Sequence, residues 1–417
     1  MRDRVPLPRH LPFYLFASSA MEIVPSMLKS RQSHFETLTI QPPDKLLALI
    51  RLFDADPRPH KLDLGVGVYR DSTGATPVFA AIKAAEAQLL AEQASKGYLG
   101  PEGNLEFIEA IRALLFPQGG ADWVGVQTPG GTGAIRLAAQ LAATARSGAT
   151  IWLGTPSWPN HEPIFEAVGL AIETYPMFDP RVGQFDFAAT MQALGRAEAG
   201  DVALLHGCGH NPTGADPTPA QWREIAALLA ERGIMPLIDL AYHGLAIGLD
   251  DDLLGFRIVC DAVEEVLLAY SCDKNFGLYR ERTGALFVRS RGEQERVNSN
   301  LLKTAREAWS MPPDHGAAAV AKVLASAELT NKWREELAGM CDRLGTLRRS
   351  LAAASPVFAQ LPGQYGLFAL LALAPSAIER LRVEDAIYMA GSGRINIAGL
   401  GLADVDRFAR AVEAVAH

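Results

Sequence analysis

The segment Ala269-Tyr-Ser271-Cys-Asp273-Lys274-Asn-Phe-Gly-Leu-Tyr-Arg-Glu-Arg282 follows an apolar run and sets one lysine between a hydroxyl and a guanidinium. A lysine amine condenses with an aldehyde only from its neutral form, and a nearby cation such as Arg282 favours that form. Ser271 and the bidentate donor Arg282 suit a phosphate. The expected chemistry is an imine between Lys274 and an aldehyde cofactor whose phosphate is held by these neighbours. A lysine after a strand is ordinarily a surface residue; the flanking pair sets this one apart.

Other segments extend the same pattern. Thr128-Pro-Gly-Gly131-Thr132-Gly opens an amphipathic stretch. Free N–H groups and the dipole of a helix start there make an anion cradle, and glycines let the backbone approach closely. Asp239 ends the apolar run Pro236-Leu-Ile-Asp. A carboxylate there can pair with a protonated pyridine nitrogen and keep a ring electron-withdrawing, or simply cap a following helix. Tyr242 and Asn211 can donate to a phenolate oxygen on that ring, although Asn211-Pro-Thr-Gly is also ordinary turn chemistry. Trp158, in Pro156-Ser-Trp-Pro-Asn-His161, can stack on a planar cofactor; a core tryptophan is the plainer alternative. His161 then stands behind Asp239 as an orienting partner. Arg394 lies between small residues in Gly391-Ser-Gly-Arg-Ile-Asn and suits a bidentate clamp on an α-carboxylate. Arg306 suits a second carboxylate. Surface ion pairing is the usual role of such arginines.

His206-Gly-Cys208-Gly-His210 places three residues able to bind a metal on one face of an extended segment. No fourth ligand follows at a familiar spacing, so no metal is expected and His206 reads as support for the cofactor. The chain has 417 residues, 49% of them hydrophobic, enough for a large core and a smaller one. A net charge of −8 argues against nucleic-acid binding. No apolar run reaches the ~20 residues of a membrane span. Four cysteines without a Cys-x-x-Cys pair point to a reducing, cytoplasmic compartment. Residues 1–30 are basic and then apolar but interrupted by prolines, and read as a disordered or spurious extension rather than a targeting leader.

These groups must be held by regular elements. Between about residues 120 and 290 apolar runs alternate with amphipathic stretches. Strands are expected near 149–154, 201–206, 235–239, 266–270 and 284–289, and helices near 132–143 and 219–230. This is α/β architecture, a mostly parallel sheet covered by helices on both faces. Ligands bind such sheets at the carboxyl ends of strands, where Trp158, Asn211, Asp239, Tyr242 and Lys274 fall. A helix-rich C-terminal part with a short strand pair near 366–371 and 393–398 reads as the core of a smaller α+β domain. The expected division is 31–76 with 325–417 as the small domain and 77–324 as the large, cofactor-binding one.

Ordered motifs from Leu62 to Leu400 carry a resemblance: Asp63-Leu-Gly-Val-Gly67-Val-Tyr-Arg-Asp, Gly97-Tyr98-Leu-Gly, Thr128-Pro-Gly-Gly-Thr-Gly, Pro156-Ser-Trp-Pro-Asn-His, His206-Gly-Cys-Gly-His-Asn-Pro-Thr-Gly, Lys274-Asn-Phe-Gly-Leu-Tyr and Ser392-Gly-Arg-Ile-Asn-Ile-Ala-Gly. The chain resembles class I aminotransferases of the aspartate and aromatic amino-acid group. The resemblance implies a fold-type I pyridoxal 5′-phosphate enzyme, a homodimer with shared active sites, acting on amino acids and 2-oxo acids. It implies that Lys274 carries the cofactor as a Schiff base and shuttles a proton. It implies that Gly131, Thr132, Trp158, Asn211, Asp239, Tyr242, Ser271 and Arg282 hold the cofactor. Arg394 matches the α-carboxylate clamp, with Gly67 nearby. Trp158 and Asn211 also face substrate. Tyr98 and Arg306 match residues that reach in from the partner subunit, to the phosphate and to the distal carboxylate.

The chain departs from the family pattern in places. Asp273 replaces the more usual serine before the lysine; the added carboxylate either raises the lysine pKa or engages Arg282. Asp63 stands where asparagine is common. Met311 replaces an asparagine, and Ala308-Trp309 is less polar than its counterpart in aspartate-specific members. A more apolar rim favours large side chains. The expected activity is therefore transfer of an amino group from an aromatic amino acid to 2-oxoglutarate. Aspartate as donor is the alternative, since Arg306 is retained. A non-catalytic, cofactor-binding regulatory module is a more distant one.

Overall fold

The computed structural model describes residues 33–42, 45–117 and 119–416; the expected extension over residues 1–30 lies outside them. Residues 33–42 form a short separate piece with a turn at 34–37, in which Glu36 N donates to Ser33 O (3.2 Å) and Leu38 N to Phe35 O (3.0 Å). The described residues from 45 onward form one compact unit.

In chain order the strands are β1 Leu62–Asp63, β2 Trp123–Pro129, β3 Thr150–Thr155, β4 Ala171–Pro176, β5 Phe178–Asp179, β6 Gln184–Phe185, β7 Val202–His206, β8 Met235–Leu240, β9 Val266–Ser271, β10 Thr283–Arg289, β11 Phe368–Leu370, β12 Ile387–Tyr388 and β13 Arg394–Asn396. The central sheet has seven strands in the order β2-β10-β9-β8-β7-β3-β4. All neighbours pair in parallel except β10, which runs antiparallel to both β2 and β9. The five expected strands are present.

Every residue of β9 is buried, as a strand covered on both faces requires. Alternation divides its side chains. Leu267 and Ala269 join a cluster with Ala134, Ile135 and Ala138 of the helix Gly130–Ala145, whereas Leu268 and Tyr270 join the larger cluster on the opposite face. The helix Pro219–Arg232 packs in that larger cluster through Trp222, Ile225 and Leu229. Its ends follow local rules: Thr218 and Gln221 form a capping box, proline occupies the first turn, and Gly233 closes it at φ 67°.

The C-terminal strand pair is β11 with β13, antiparallel. β1 pairs in parallel with β12. The segment after β1 is stitched to the same region by Asn396, whose side-chain amide donates to Val66 O and Val68 O at 2.7 Å each. This stitching carries the early glycine-rich segment to Arg394.

Candidate active site

Four parallel strands, β3, β7, β8 and β9, end on one edge of the sheet and are followed there by Trp158, Asn211, Tyr242 and Lys274. β2 ends on the same edge and leads directly into the helix Gly130–Ala145. Because β10 runs the other way, the residue that precedes it lies on that edge too. Thr283 pairs with Pro129 and Gly284 with Ser271, so Arg282 arrives beside the start of the helix. A cavity of about 140 Å³ opens here, lined among others by Gly131, Thr132, Trp158, Asn211, Asp239, Tyr242, Ser271, Lys274 and Arg282.

One cluster in this cavity is cationic and donor-rich. The helix Gly130–Ala145 has no side-chain cap, so its first N–H groups are available to an anion. Gly130 has φ 69°, and a Cβ there would fall 2.5 Å from Arg282 Nη2. A Cβ on Gly131 would stand 3.0 Å from that of Ser271. The helix start, the hydroxyl and the guanidinium thus crowd one spot. Arg282 Nη1 donates to the Asp273 carboxylate at 2.8 Å and to Tyr279 O at 2.8 Å. Of the two effects expected of Asp273, engagement of Arg282 is the one the geometry displays.

A second cluster surrounds Asp239. Its Oδ2 lies 3.1 Å from His161 Nε2 and 3.9 Å from His206 Nε2. His161 is fully buried, and its Nδ1 is 2.8 Å from Ser157 Oγ. With Nδ1 accepting from the Ser157 hydroxyl, the His161 Nε2–H donates to Asp239. Burial pushes the Asp239 carboxyl up, but the His161 hydrogen bond and the nearby His161, His206 and Lys274 outweigh it, leaving the group below its ordinary value. His206 is itself held down to about 4 by burial, against the pull of Asp239. Its two ring nitrogens are buried without a hydrogen-bond partner, and its ring centre lies 4.2 Å from that of His210. The donor atoms of His161, His206 and Asp239 lie within 4.8 Å of one another, yet both nitrogens of His161 are already engaged. Cys208 stays a thiol, its pKa raised well above normal chiefly by burial.

Lys274 connects the clusters. Its Nζ lies 5.4 Å from the centre of the Tyr242 ring, and its charge acts on Asp239. Burial pushes the Tyr242 hydroxyl upward, so it remains a donor, and it accepts from Asn211 Nδ2 at 3.4 Å. Arg394 reaches the same group: Nη1 lies 3.5 Å from Asn211 Oδ1, Nη2 donates to Gly65 O at 2.8 Å, and the guanidinium stands 4.4 Å from the Phe368 ring centre. Its Nε is buried without a partner. Gly67 packs beside this stack, where a Cβ would come within 3.0 Å of Phe368. Gly209 and Gly366 let the loop after β7 pass the chain before β11: a Cβ on Gly209, at φ 58°, would lie 3.2 Å from Gly366 Cα.

Two expected site residues stand apart. Tyr98 is 95% exposed, and Arg306 is exposed on the helix Gln294–Trp309; neither lines the cavity of this chain. Met311 is also absent from that lining, and Trp309 packs against the core. Sequence reasoning passed over Ser157 and Tyr279, although both lie inside quoted motifs. It also passed over Phe368, an unmarked apolar residue of a short strand.

Comparison with known proteins adds to this geometry. The family model for class I and II aminotransferases matches residues 59–412. The chain belongs to that family. It is similar to the tyrosine aminotransferase of Rhizobium meliloti (strain 1021), 52% identical, with 90% of this chain and 98% of that protein covered. It is similar to the aspartate aminotransferase of Escherichia coli (strain K12), 41% identical over 88% of this chain and 96% of that one. Among solved structures, the aromatic-amino-acid aminotransferase from Burkholderia pseudomallei, covalently bound to pyridoxal phosphate, superposes with a TM-score of 0.89 at 34% identity, covering 92% of this chain and 99% of that one. The protein is an aminotransferase with the fold-type I architecture expected from its sequence.

The donor set meets the requirements of a phosphorylated pyridine aldehyde. An amine, an anion cradle and a carboxylate kept ionised share one cavity, and a flat indole half-buried at its wall completes the set.

Proposed function

We propose that this aminotransferase transfers the amino group of an aromatic L-amino acid to 2-oxoglutarate, using pyridoxal 5′-phosphate. The observation that carries the proposal is the single cavity holding Lys274, Asp239 and the Ser271–Arg282 cradle. When bound, the coenzyme supplies an electron sink for the negative charge that develops at the substrate Cα.

This chain's own residues do the rest. Gly131, Thr132, Ser271 and Arg282 hold the phosphate, and Tyr98 of a second subunit reaches it in a homodimer. Asp239, kept anionic by His161, pairs with the pyridine nitrogen and keeps it protonated. Asn211 and Tyr242 donate to the ring oxygen, and Trp158 covers the ring face. Lys274 would attach the coenzyme, and its amine, once freed, would serve as the base that moves the substrate Cα proton. Arg394 clamps the α-carboxylate beside Gly67, its guanidinium pre-oriented by Gly65 O and Phe368. Arg306 of the partner meets the distal carboxylate of the dicarboxylic pair. In this reading residues 77–324 carry the coenzyme, and 31–76 with 325–417 act as the small domain. The four unpaired cysteines agree with a cytoplasmic setting, and no helix among the described residues is long and apolar enough to cross a membrane.

Aromatic preference is supported by the similarity to the tyrosine aminotransferase, at 52% identity. Aspartate as donor is the second reading, favoured by Arg306 and by the E. coli relative. Half-reactions with phenylalanine, tyrosine and aspartate, followed by coenzyme absorbance, decide between them. Borohydride reduction and peptide mapping are expected to label Lys274, and Lys274→Ala to abolish turnover. Full activity in that variant would refute the assignment.

A further inference from the structure

The anion cradle contains a negative charge that the proposed chemistry leaves unused. Asp273 is only 5% exposed. Its Oδ2 accepts from Arg282 Nη1 at 2.8 Å, and its Oδ1 is buried without a partner. The same guanidinium nitrogen is also bonded to Tyr279 O, so it is engaged within the protein. A Cβ on Gly130 would lie 2.5 Å from Arg282 Nη2 and 3.2 Å from Asp273 Oδ2. Helix start, guanidinium and carboxylate therefore converge, and Asp273 lines the same cavity as Ser271, Lys274 and Arg282.

A phosphate entering this cradle meets attractive donors and one like charge. In a partly desolvated site, like charges a few ångströms apart repel by more than they do in water. The phosphate also brings the unpartnered Oδ1 no donor unless a proton accompanies it, and a buried acceptor without a donor is costly. We infer that Asp273 is a rival anion: it competes with the coenzyme phosphate for Arg282 and loosens the hold that the other donors would give. This rests on the coenzyme reading of the site. Asp273 acts through Arg282 and through its own field, as a positioning residue that sets how readily the coenzyme exchanges.

The opposite role, a clamp that orients Arg282 for an anion, predicts the opposite sign. The test compares full-length wild type with Asp273→Asn, which keeps the size and removes the charge, and with Asp273→Ser, which restores a hydroxyl. Three probes are titrated: pyridoxal 5′-phosphate by visible absorbance, inorganic phosphate by calorimetry on the coenzyme-depleted full chain, and pyridoxal, which lacks the phosphate. Both variants should bind the two phosphate-bearing probes at least tenfold more tightly, with pyridoxal affinity unchanged within twofold. Unchanged or weaker phosphate binding in both variants overturns the inference. Failure of wild type to bind pyridoxal 5′-phosphate at all, or a spectrum identical in Lys274→Ala, overturns the coenzyme reading instead, and the two failures are told apart by the absorbance alone.

Discussion

Replacing His161 with leucine separates the charge on Asp239 from the carboxylate itself. His161 is fully buried, bonded to Asp239 Oδ2 at 3.1 Å and to Ser157 Oγ at 2.8 Å. Leucine has a similar volume, so little cavity is created, but both polar neighbours lose their partner. A hydrogen bond to a charged group contributes roughly 1.5–3 kcal/mol, which corresponds to about a 10- to 150-fold effect at 1.4 kcal/mol per decade. Because burial alone pushes Asp239 up and the His161 bond pulls it down, the leucine variant should carry a less readily ionised carboxylate. The expected result is a tenfold or greater fall in kcat/KM at neutral pH, with the acid limb of the pH profile moved to higher pH. The assay is kcat/KM for tyrosine from pH 5 to 9, beside thermal unfolding to verify folding. A profile that keeps both its height and its acid limb would show that Asp239 holds its charge without His161, and the argument for the pair would be wrong.

Two further outcomes test the scaffold. Gly209→Ala places a Cβ 3.2 Å from Gly366 Cα at φ 58°; the left-handed conformation alone costs about 1–2 kcal/mol, so urea unfolding should show at least that loss, with weaker substrate binding as the loop shifts. Asp216, raised to about 6 by burial although Gly209 N and His210 N donate to it, keeps its proton in the folded chain over a range where the unfolded carboxyl loses it. Its contribution is therefore full below about pH 4 and declines as pH rises to about 6. Asp216→Asn should flatten that part of the stability curve relative to wild type, as measured by urea unfolding at pH 4, 5 and 6.

Legibility in the sequence followed the chemistry of burial. β7, β8 and β9 are apolar up to their carboxyl ends, where His206, Asp239 and Ser271 lie, because both faces are covered, and they stood out. β4 did not: it pairs on one side only, and its residues Ala171, Glu173, Thr174 and Pro176 are exposed, so no apolar run marks it. β2 was obscured by its internal Gly125 and Gln127. That glycine lies where a Cβ would come within 2.6 Å of Phe287, and Gln127 is buried through bonds to Asn104 N and Pro313 O. The pairing of His161 with Asp239 was readable because His161 follows β3 and Asp239 stands at the carboxyl end of β8. Whether Asp273 would act on Lys274 or on Arg282 was not, since a hairpin's side-chain directions are set by register rather than by residue type. That Tyr98 and Arg306 serve a neighbouring subunit's site could be expected only from resemblance, and one chain leaves both exposed.

The reversal at β10 has one more consequence. Lys274 and Arg282 sit on the connection between two adjacent antiparallel strands, β9 and β10. Closing so short a link costs little chain entropy. The Asp273–Arg282 ion pair on this connection is therefore made by neighbouring residues alone, without the distant segments bearing Asp239 and Arg394. A mutation in those segments would spoil catalysis while leaving this local pair intact.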